Sequence, residues 1–206
     1  MILNDRHGEK IITIFGPPGT GKTTRLLNIV EEEINNGTSI DRIGYFAFTK
    51  KAAREAVTRA MKKFNLEKKD FTYFRTLHSL AYHHLNLKPS DVMGDNQYQE
   101  VSDWLQLKLY NPNKSVDELG VSIPKDIYIN LIDKSKITGT SLMNRFSNCG
   151  YHIDGGFDKL NYVDKGLKQF KNRYKLFDYT DMILEFIKNN NAPKLDVVIV
   201  DEAQDL

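Results

Sequence analysis

The sequence predicts an α/β protein in which a parallel sheet is flanked by helices. An apolar run at residues 11–15 precedes a helical pattern at about 22–35, and a second apolar run at 43–48 precedes a helical pattern at 50–64. A strand, a loop and a helix that recur in this order indicate parallel strands joined by crossover helices. A third apolar run, at 195–200, leads into two acidic residues. In such sheets ligands bind beyond the carboxyl ends of the strands.

The other predicted elements follow from hydrophobic spacing. The first helix places Leu26, Leu27, Val30 and Ile34 on one face, and the second does so with Ala53, Ala56, Val57, Ala60 and Phe64. We expect a short strand at 71–74 and a helix at 76–87. Residues 89–155 carry scattered helical patterns and no strong strand signal, which predicts a helical insertion.

Two further helices are predicted before the last strand. One has Leu160, Val163, Leu167, Phe170 and Tyr174 on its apolar stripe. Asp178 can cap the next, which we expect to begin near Met182 and to bury Ile183, Phe186 and Ile187.

The composition bounds the class of protein. The chain has 206 residues, of which 40% are apolar, enough for one large or two small domains. No apolar run approaches the roughly 18 residues of a membrane span, and the N-terminus lacks a signal-peptide layout. We therefore expect a soluble, cytoplasmic protein with no membrane partner. The single cysteine, Cys149, excludes an internal disulfide framework.

The segment from Gly16 to Thr23 matches the pattern G-x-x-x-x-G-K-[ST] at every fixed position, between a strand and a helix. Its glycines allow the backbone to fold around phosphates, and the first amides of the next helix face the anion. Lys22 would reach the β and γ phosphates, and Thr23 would bind Mg²⁺. The alternative is a loop that merely turns the chain. The predicted nucleotide-binding residues are Gly16, Pro17, Pro18, Gly19, Thr20, Gly21, Lys22, Thr23 and Thr24; we call residues 16–23 the candidate phosphate loop.

Asp201 and Glu202 follow the last apolar run. Carboxylates at the tip of a hydrophobic strand are costly without cationic or water partners. Asp201 is placed to hold Mg²⁺ with Thr23, and Glu202 to orient or deprotonate the attacking water. Together with the candidate phosphate loop, this pair predicts nucleotide hydrolysis.

Basic residues concentrate between Lys50 and Arg75, a segment with nine basic and three acidic residues, although the net charge of the chain is only +2. By itself such a run favours a solvated helix face over a nucleic-acid contact. His78, His83 and His84 have no acidic or cysteine partner at metal spacing, so we do not expect them to be metal ligands.

Four segments resemble motifs of the UvrD/Rep/PcrA-like superfamily 1 DNA helicases. Residues 201–205, Asp-Glu-Ala-Gln-Asp, resemble D-E-x-Q-D, and residues 47–55 are similar to T-F-T-N-K-A-A-x-E-M. Residues 76–80 resemble T-x-H-S-[FL], and residues 178–182 resemble D-[FY]-x-D-[LM]. These matches occur in the order of the family and, with the candidate phosphate loop, span nearly the whole chain.

The resemblance implies a P-loop NTPase of RecA-like fold with an inserted all-α subdomain. Residues 1–88 and 176–206 would form the ATP-binding domain, and residues 89–175 the insertion. ATP and Mg²⁺ would be the cofactors, and single-stranded DNA the partner, with travel from 3′ to 5′. Glu202, Lys22 and Gln204 would be catalytic, Gln204 by sensing the γ phosphate. The DNA contacts would be Thr49, Lys50, Lys51, Arg54, Thr76 and His78.

Two departures from the family accompany this resemblance. The family reads adenine with a glutamine upstream of the phosphate loop, and here no Gln precedes Lys22. The chain also ends one residue after the acidic motif, so we expect a part of a longer ATP-dependent helicase that lacks the second RecA-like domain and hydrolyses ATP slowly.

Alternatives are a nucleotide-gated DNA-binding module without motor activity, and a phosphate-loop kinase or metabolic NTPase. Phe48 and Phe74 could stack on bases, but core packing is the favoured interpretation for both.

Overall fold

The computed structural model describes residues 2–4, 10–17, 19–110, 126–150 and 152–203. Two of the predicted site residues, Pro18 and Gln204, lie outside these ranges. The chain divides into two compact units, the first formed by Met1–Leu80 with Pro193–Leu206 and the second by Ala81–Ala192. The predicted domain boundaries lie elsewhere, at 88/89 and 175/176, and that division stays a prediction.

The first unit contains all of the described strands together with two long helices. The strands are β1 (Ile2–Asn4), β2 (Lys10–Ile12), β3 (Ile43–Ala47), β4 (Phe74–Arg75) and β5 (Val197–Asp201), and the helices are α1 (Lys22–Asn35) and α2 (Lys50–Phe64). A third helix, α3 (Leu77–His84), follows β4. The described residues form a parallel sheet of three strands in the order β4-β3-β5. The predicted α/β class and parallel sheet are thus confirmed.

The core of this unit lies around β3, whose five residues are all buried because the strand is central. Leu27 and Val30 of α1, and the four small or branched residues Ala53, Ala56, Val57 and Ala60 of α2, are buried with it. Both helices have the predicted bounds, because their apolar spacing is regular and a left-handed residue, Asn65, ends α2.

The predicted buried strand at 11–15 is wrong. The observed strand β2 ends at Ile12 and pairs antiparallel with β1, and Phe15 is 83% exposed. A short apolar run does not specify its pairing partner, and here the partner is a neighbouring segment of the chain rather than the parallel sheet. The third strand is also wrong in its bounds, since it is observed at Phe74–Arg75 and not at 71–74, and α3 spans Leu77–His84 instead of 76–87.

The second unit is helical. It contains α4 (Asp95–Leu105), α5 (Ile127–Thr138), α6 (Leu142–Ser147), α7 (Gly156–Tyr174) and α8 (Tyr179–Lys188). Its core is a cluster of apolar residues that includes Tyr98, Val101, Leu131, Ile132, Leu160, Val163 and Phe170. The prediction of helices and no regular strand in 89–155 holds for the part of this segment that is described, where one isolated bridge joins Val92 to Phe177.

Helix α8 differs from the prediction in its start and its buried face. It begins at Tyr179, because the Asp178 side chain accepts from the Asp181 amide and the Asp181 side chain accepts from the Asp178 amide. Met182 is buried, whereas Ile187 is 63% exposed. Tyr174, predicted on the apolar stripe of α7, is also exposed. Of the described helices, none has both the length and the apolar character that crossing a membrane requires.

Candidate nucleotide-binding site

The candidate phosphate loop is held by its own side chains. Thr20 Oγ1 donates to the Pro17 carbonyl at 2.8 Å, and Lys22 Nζ donates to the carbonyls of Gly16 at 2.9 Å and Pro17 at 3.2 Å. A Cβ on Gly16 would lie 2.6 Å from Thr20 Oγ1, so a side chain there would displace that hydroxyl. Two backbone carbonyls of the loop therefore hold the Lys22 ammonium.

Helix α1 begins directly from this loop. Gly19 and Gly21 have φ values of 81° and 84°, in the left-handed region that glycine adopts without strain. Gly21 is the N-cap, so the first backbone amides of α1 are those of Lys22 and Thr23. Unpaired amides at a helix start, with the helix dipole behind them, favour an anion. Thr24 is exposed in the same first turn.

A cavity of about 410 Å³ adjoins the loop. Its lining combines apolar residues with two cations and consists of Ile14, Phe15, Gly16, Pro17, Thr20, Gly21, Lys22 and Arg25. Small-molecule sites commonly have volumes of about 300–1,000 Å³ and a largely apolar lining with a few polar groups. The cavity thus places the cations Lys22 and Arg25 beside apolar side chains next to the loop.

Asp201 approaches the loop from the last position of β5. The register pairs it with Ala47 of β3, and it is 5% exposed. Its Oδ2 accepts from the Tyr45 hydroxyl at 2.7 Å and from Thr23 Oγ1 at 3.4 Å. The fold therefore brings Thr23 and Asp201, which are 178 positions apart, into contact.

The surroundings of Asp201 suit a cation that the protein does not itself provide. Burial, followed by the hydrogen bond to Asp201, raises the pKa of Tyr45 far above its usual range, so its hydroxyl stays a donor. Among the described residues, two hydroxyls and no ion-pair partner contact the Asp201 carboxylate. A buried carboxylate without a cationic partner is costly.

Mg²⁺ fits this set of donors. It prefers oxygen ligands, and it is usually held by one or two carboxylates together with substrate phosphates and water. The described ranges contain no group of three or more His, Cys, Asp or Glu residues that could bind a metal on their own. A metal shared between Asp201, Thr23 and a phosphate is consistent with both facts.

Glu202 differs from its neighbour in conformation and exposure. It has φ 55°, in the left-handed region that glutamate rarely adopts, and its side chain is exposed. This backbone turn ends the strand, so that Asp201 stays buried in the sheet while Glu202 leaves it. Such uncommon conformations concentrate at functional sites.

A family model, that of the UvrD/REP helicase N-terminal domain, matches residues 5–206. The chain belongs to this family. The predicted resemblance to UvrD/Rep/PcrA-like helicases is therefore confirmed, and membership in the UvrD/REP family supports an ATP-dependent helicase function with DNA as the substrate. The search among curated proteins gives no match.

The first group of predicted DNA contacts lies at the start of α2. Thr49 is the N-cap, and its Oγ1 accepts from the Ala52 amide at 3.1 Å. Lys50, Lys51 and Arg54 are exposed, on the side of α2 that is turned away from the core. Three cations are thus displayed just beyond the carboxyl end of β3.

The second group is less accessible. Thr76 is buried, and its Oγ1 accepts from the Ser79 amide at 3.1 Å, so this hydroxyl already caps the first turn of α3. His78 is partly buried, and burial lowers its pKa, which keeps the imidazole neutral at pH 7. These two residues differ from the exposed cations of α2 in both access and charge.

Sequence reasoning missed Arg75 as a candidate. It ends β4, opposite Phe46 of β3, and its Nε is buried with no hydrogen-bond partner among the described residues. Burial lowers the pKa of this guanidinium. The available signal was its place, since it is the last cation of the basic run and directly follows an apolar strand.

The two phenylalanines have different outcomes. Phe74 is buried and stacks on Tyr45 with ring centroids 5.3 Å apart, so its predicted place in the core is confirmed. Phe48 is 52% exposed, and the expectation that it packs in the core is wrong. Because β3 ends at Ala47, Phe48 begins the turn that leads into α2.

Proposed function

We propose that this chain is the ATP-binding part of a helicase motor that couples ATP hydrolysis to movement along single-stranded DNA. The observation that carries the proposal is the contact between Thr23 of α1 and Asp201 of β5, next to a loop that gathers around Lys22. Phosphate binding and metal binding need these two segments to meet at one place. Membership in the UvrD/REP helicase N-terminal family supports the same function.

Each candidate residue then has a proposed role. Lys22 exchanges its loop carbonyls for the β and γ phosphates, while Thr23 and Asp201 hold Mg²⁺. When bound, the metal neutralises charge that develops on the phosphates. Glu202 orients or deprotonates the attacking water, and Gln204 senses the γ phosphate. The remaining loop residues, Gly16, Pro17, Pro18, Gly19, Thr20, Gly21 and Thr24, surround the phosphates.

The proposed DNA surface lies beyond the carboxyl ends of β3 and β4. Lys50, Lys51 and Arg54 contact backbone phosphates, because phosphate contacts by exposed cations dominate nucleic-acid affinity. Thr49 and Thr76 shape this surface through the helix caps that they form, and His78 contributes a neutral ring. By analogy with the family, we also propose 3′ to 5′ travel and an ATP site completed by a second RecA-like domain.

The deciding experiment compares ATP binding and hydrolysis with and without single-stranded DNA. We expect the 206-residue chain to bind Mg²⁺-ATP and to hydrolyse it slowly, with stimulation by DNA. The variant Lys22→Ala should lose ATP binding, whereas Lys188→Ala, an exposed lysine on α8, should not. Tight ATP binding by Lys22→Ala would refute the location of the site, and hydrolysis that is indifferent to DNA would favour a metabolic NTPase.

The DNA surface is tested separately by replacing Lys50, Lys51 and Arg54 with Ala. Loss of three phosphate contacts should lower the slope of log affinity against log salt by about 2, at roughly 0.7 per contact for single strands. An unaltered slope would assign these cations to a solvated face. Nucleotide-dependent DNA binding without any turnover would support a DNA-binding module instead of a motor.

A further inference from the structure

We infer that Tyr45 is a positioning residue that fixes the metal-binding carboxylate of Asp201. The inference rests on the proposed function, because it concerns the same Mg²⁺ site. Its basis is the 2.7 Å hydrogen bond from the Tyr45 hydroxyl to Asp201 Oδ2, between two buried side chains. Tyr45 is not among the site residues predicted from the sequence.

The two carboxylate oxygens of Asp201 differ in their hydrogen bonds. Tyr45 and Thr23 both donate to Oδ2, and the described residues record no hydrogen bond to Oδ1. Oδ2 is therefore the anchored oxygen, and Oδ1 is left for the cation or one of its water molecules. Since Thr23 directs its proton to Asp201, the lone pairs of its hydroxyl are also left for the metal.

The tyrosine ring is well placed to hold its hydroxyl still. Tyr45 is the middle residue of the central strand, opposite Phe74 on one side and Ile199 on the other. It is completely buried, and its ring lies within 18° of parallel to that of Phe74. A hydroxyl on a ring packed in this way has little rotamer freedom, so the carboxylate that it binds is held in one orientation.

The residue opposite Asp201 makes this reach possible. Ala47 pairs with Asp201, and Tyr45 lies two positions before it, so Tyr45 and Ala47 point to the same face of β3. Because alanine has only a methyl group, its side chain does not come between the Tyr45 hydroxyl and the Asp201 carboxylate, which are 2.7 Å apart.

The test is the variant Tyr45→Phe in the full chain, which removes the hydroxyl and keeps the ring. A fluorescent ATP analogue is bound at a series of Mg²⁺ concentrations, and the half-saturating Mg²⁺ concentration is measured. Loss of an outer contact to a metal ligand typically costs about 10- to 100-fold in metal affinity. We expect a rise of that size, with analogue binding in EDTA unchanged. The matched control is Tyr98→Phe, which removes a buried hydroxyl from the second unit and should leave the Mg²⁺ dependence as it is.

A second background separates positioning from general loss of structure. In Asp201→Asn, the side chain no longer supplies an anionic oxygen for Tyr45 to orient, so adding Tyr45→Phe should produce no further rise. An equal rise in both backgrounds, or no rise in the wild-type background, would overturn the role of Tyr45. A wild-type chain that binds neither the analogue nor Mg²⁺ would instead refute the proposed function.

Discussion

Two acidic pairs, one in each unit, have opposite surroundings. In the second unit, Lys171 Nζ lies 2.6 Å from Asp178 Oδ2 and 2.5 Å from Asp181 Oδ2, and Lys136 Nζ lies 3.0 Å from each residue. In the first unit, Asp201 is contacted by hydroxyls and by no cation among the described residues. Lysines neutralise Asp178 and Asp181, whereas no described cation pairs with Asp201.

This difference distinguishes a motif that stabilises the fold from the motif that we propose binds Mg²⁺. Burial alone would raise the pKa of Asp178, but Lys171 and Lys136 outweigh it and hold that pKa at about 2. The D-Y-T-D segment resembles a helicase motif, and its carboxylates serve to start α8 and to join it to α5 and α7. Among the described residues, Asp201 is therefore a better candidate for a Mg²⁺ ligand than Asp178 or Asp181, because no lysine pairs with it.

The largest expected effect is on the paired site. Lys171→Met should lower the free energy of unfolding by about 3–5 kcal/mol, because removing one partner of a buried ion pair leaves an uncompensated charge. Urea denaturation measures this. The control is Lys188→Met, whose lysine is exposed and pairs with the exposed side chain of Glu185, and it should cost at most about 1 kcal/mol. Equal losses in both variants would show that the buried network has no special role.

The site at the end of β5 should respond in chemistry instead of stability. Glu202→Gln should keep Mg²⁺-ATP binding and slow hydrolysis by at least about 100-fold, since a general base typically contributes that much. Its side chain is exposed, so its unfolding curve should coincide with that of the wild type. Single-turnover hydrolysis with bound ATP is the measurement. Unchanged turnover would remove Glu202 from the reaction.

A pH titration sharpens the comparison within the paired site. Burial, and then the charge of Asp178, raise the pKa of Asp133 to about 6. Between about pH 4 and 6 the unfolded chain releases this proton before the folded one, so Asp133 makes stability fall as the pH rises. Asp133→Asn removes this loss and should be more stable than the wild type at pH 7 by about 1–3 kcal/mol, with little difference near pH 4.

The control for this titration is Asp103→Asn, on the exposed side of α4, which should follow the wild-type pH profile. Stability measured by denaturation at each pH supplies the comparison. A constant difference between Asp133→Asn and the wild type across pH 4–7 would contradict a titration near pH 6.

The sequence predicted those features of the fold that depend on local pattern. Helices α1 and α2 have regular apolar spacing and were predicted with correct bounds. The contact of Thr23 with Asp201 is consistent with the expected sharing of Mg²⁺, although β2, the strand that precedes the candidate phosphate loop, pairs with β1 and does not belong to the parallel sheet. Features that depend on distant partners were missed. The run at 11–15 pairs with β1, and nothing in that run specifies its partner.

The same limit applies to single side chains. Asp178 and Asp201 both precede or end a regular element and look alike in sequence, and only the folded chain shows which of them meets lysines. The sequence does not distinguish Tyr45 from an ordinary strand residue, because the acceptor of its hydroxyl, Asp201, lies 156 positions away along the chain.

The smallest expected effect concerns Arg75, whose Nε has no hydrogen-bond partner in the part of the chain that the structure describes. If the Arg75 guanidinium contacts a DNA phosphate, Arg75→Gln should weaken binding of single-stranded DNA by about tenfold. It should also lower the slope of log affinity against log salt by about 0.7, the value for one contact. The control is Arg173→Gln, whose arginine lies over the Tyr174 ring in the second unit. ATP affinity should stay unchanged in both variants, because neither residue lines the cavity at the candidate phosphate loop. An unaltered salt slope in Arg75→Gln would show that this guanidinium does not contact a DNA phosphate.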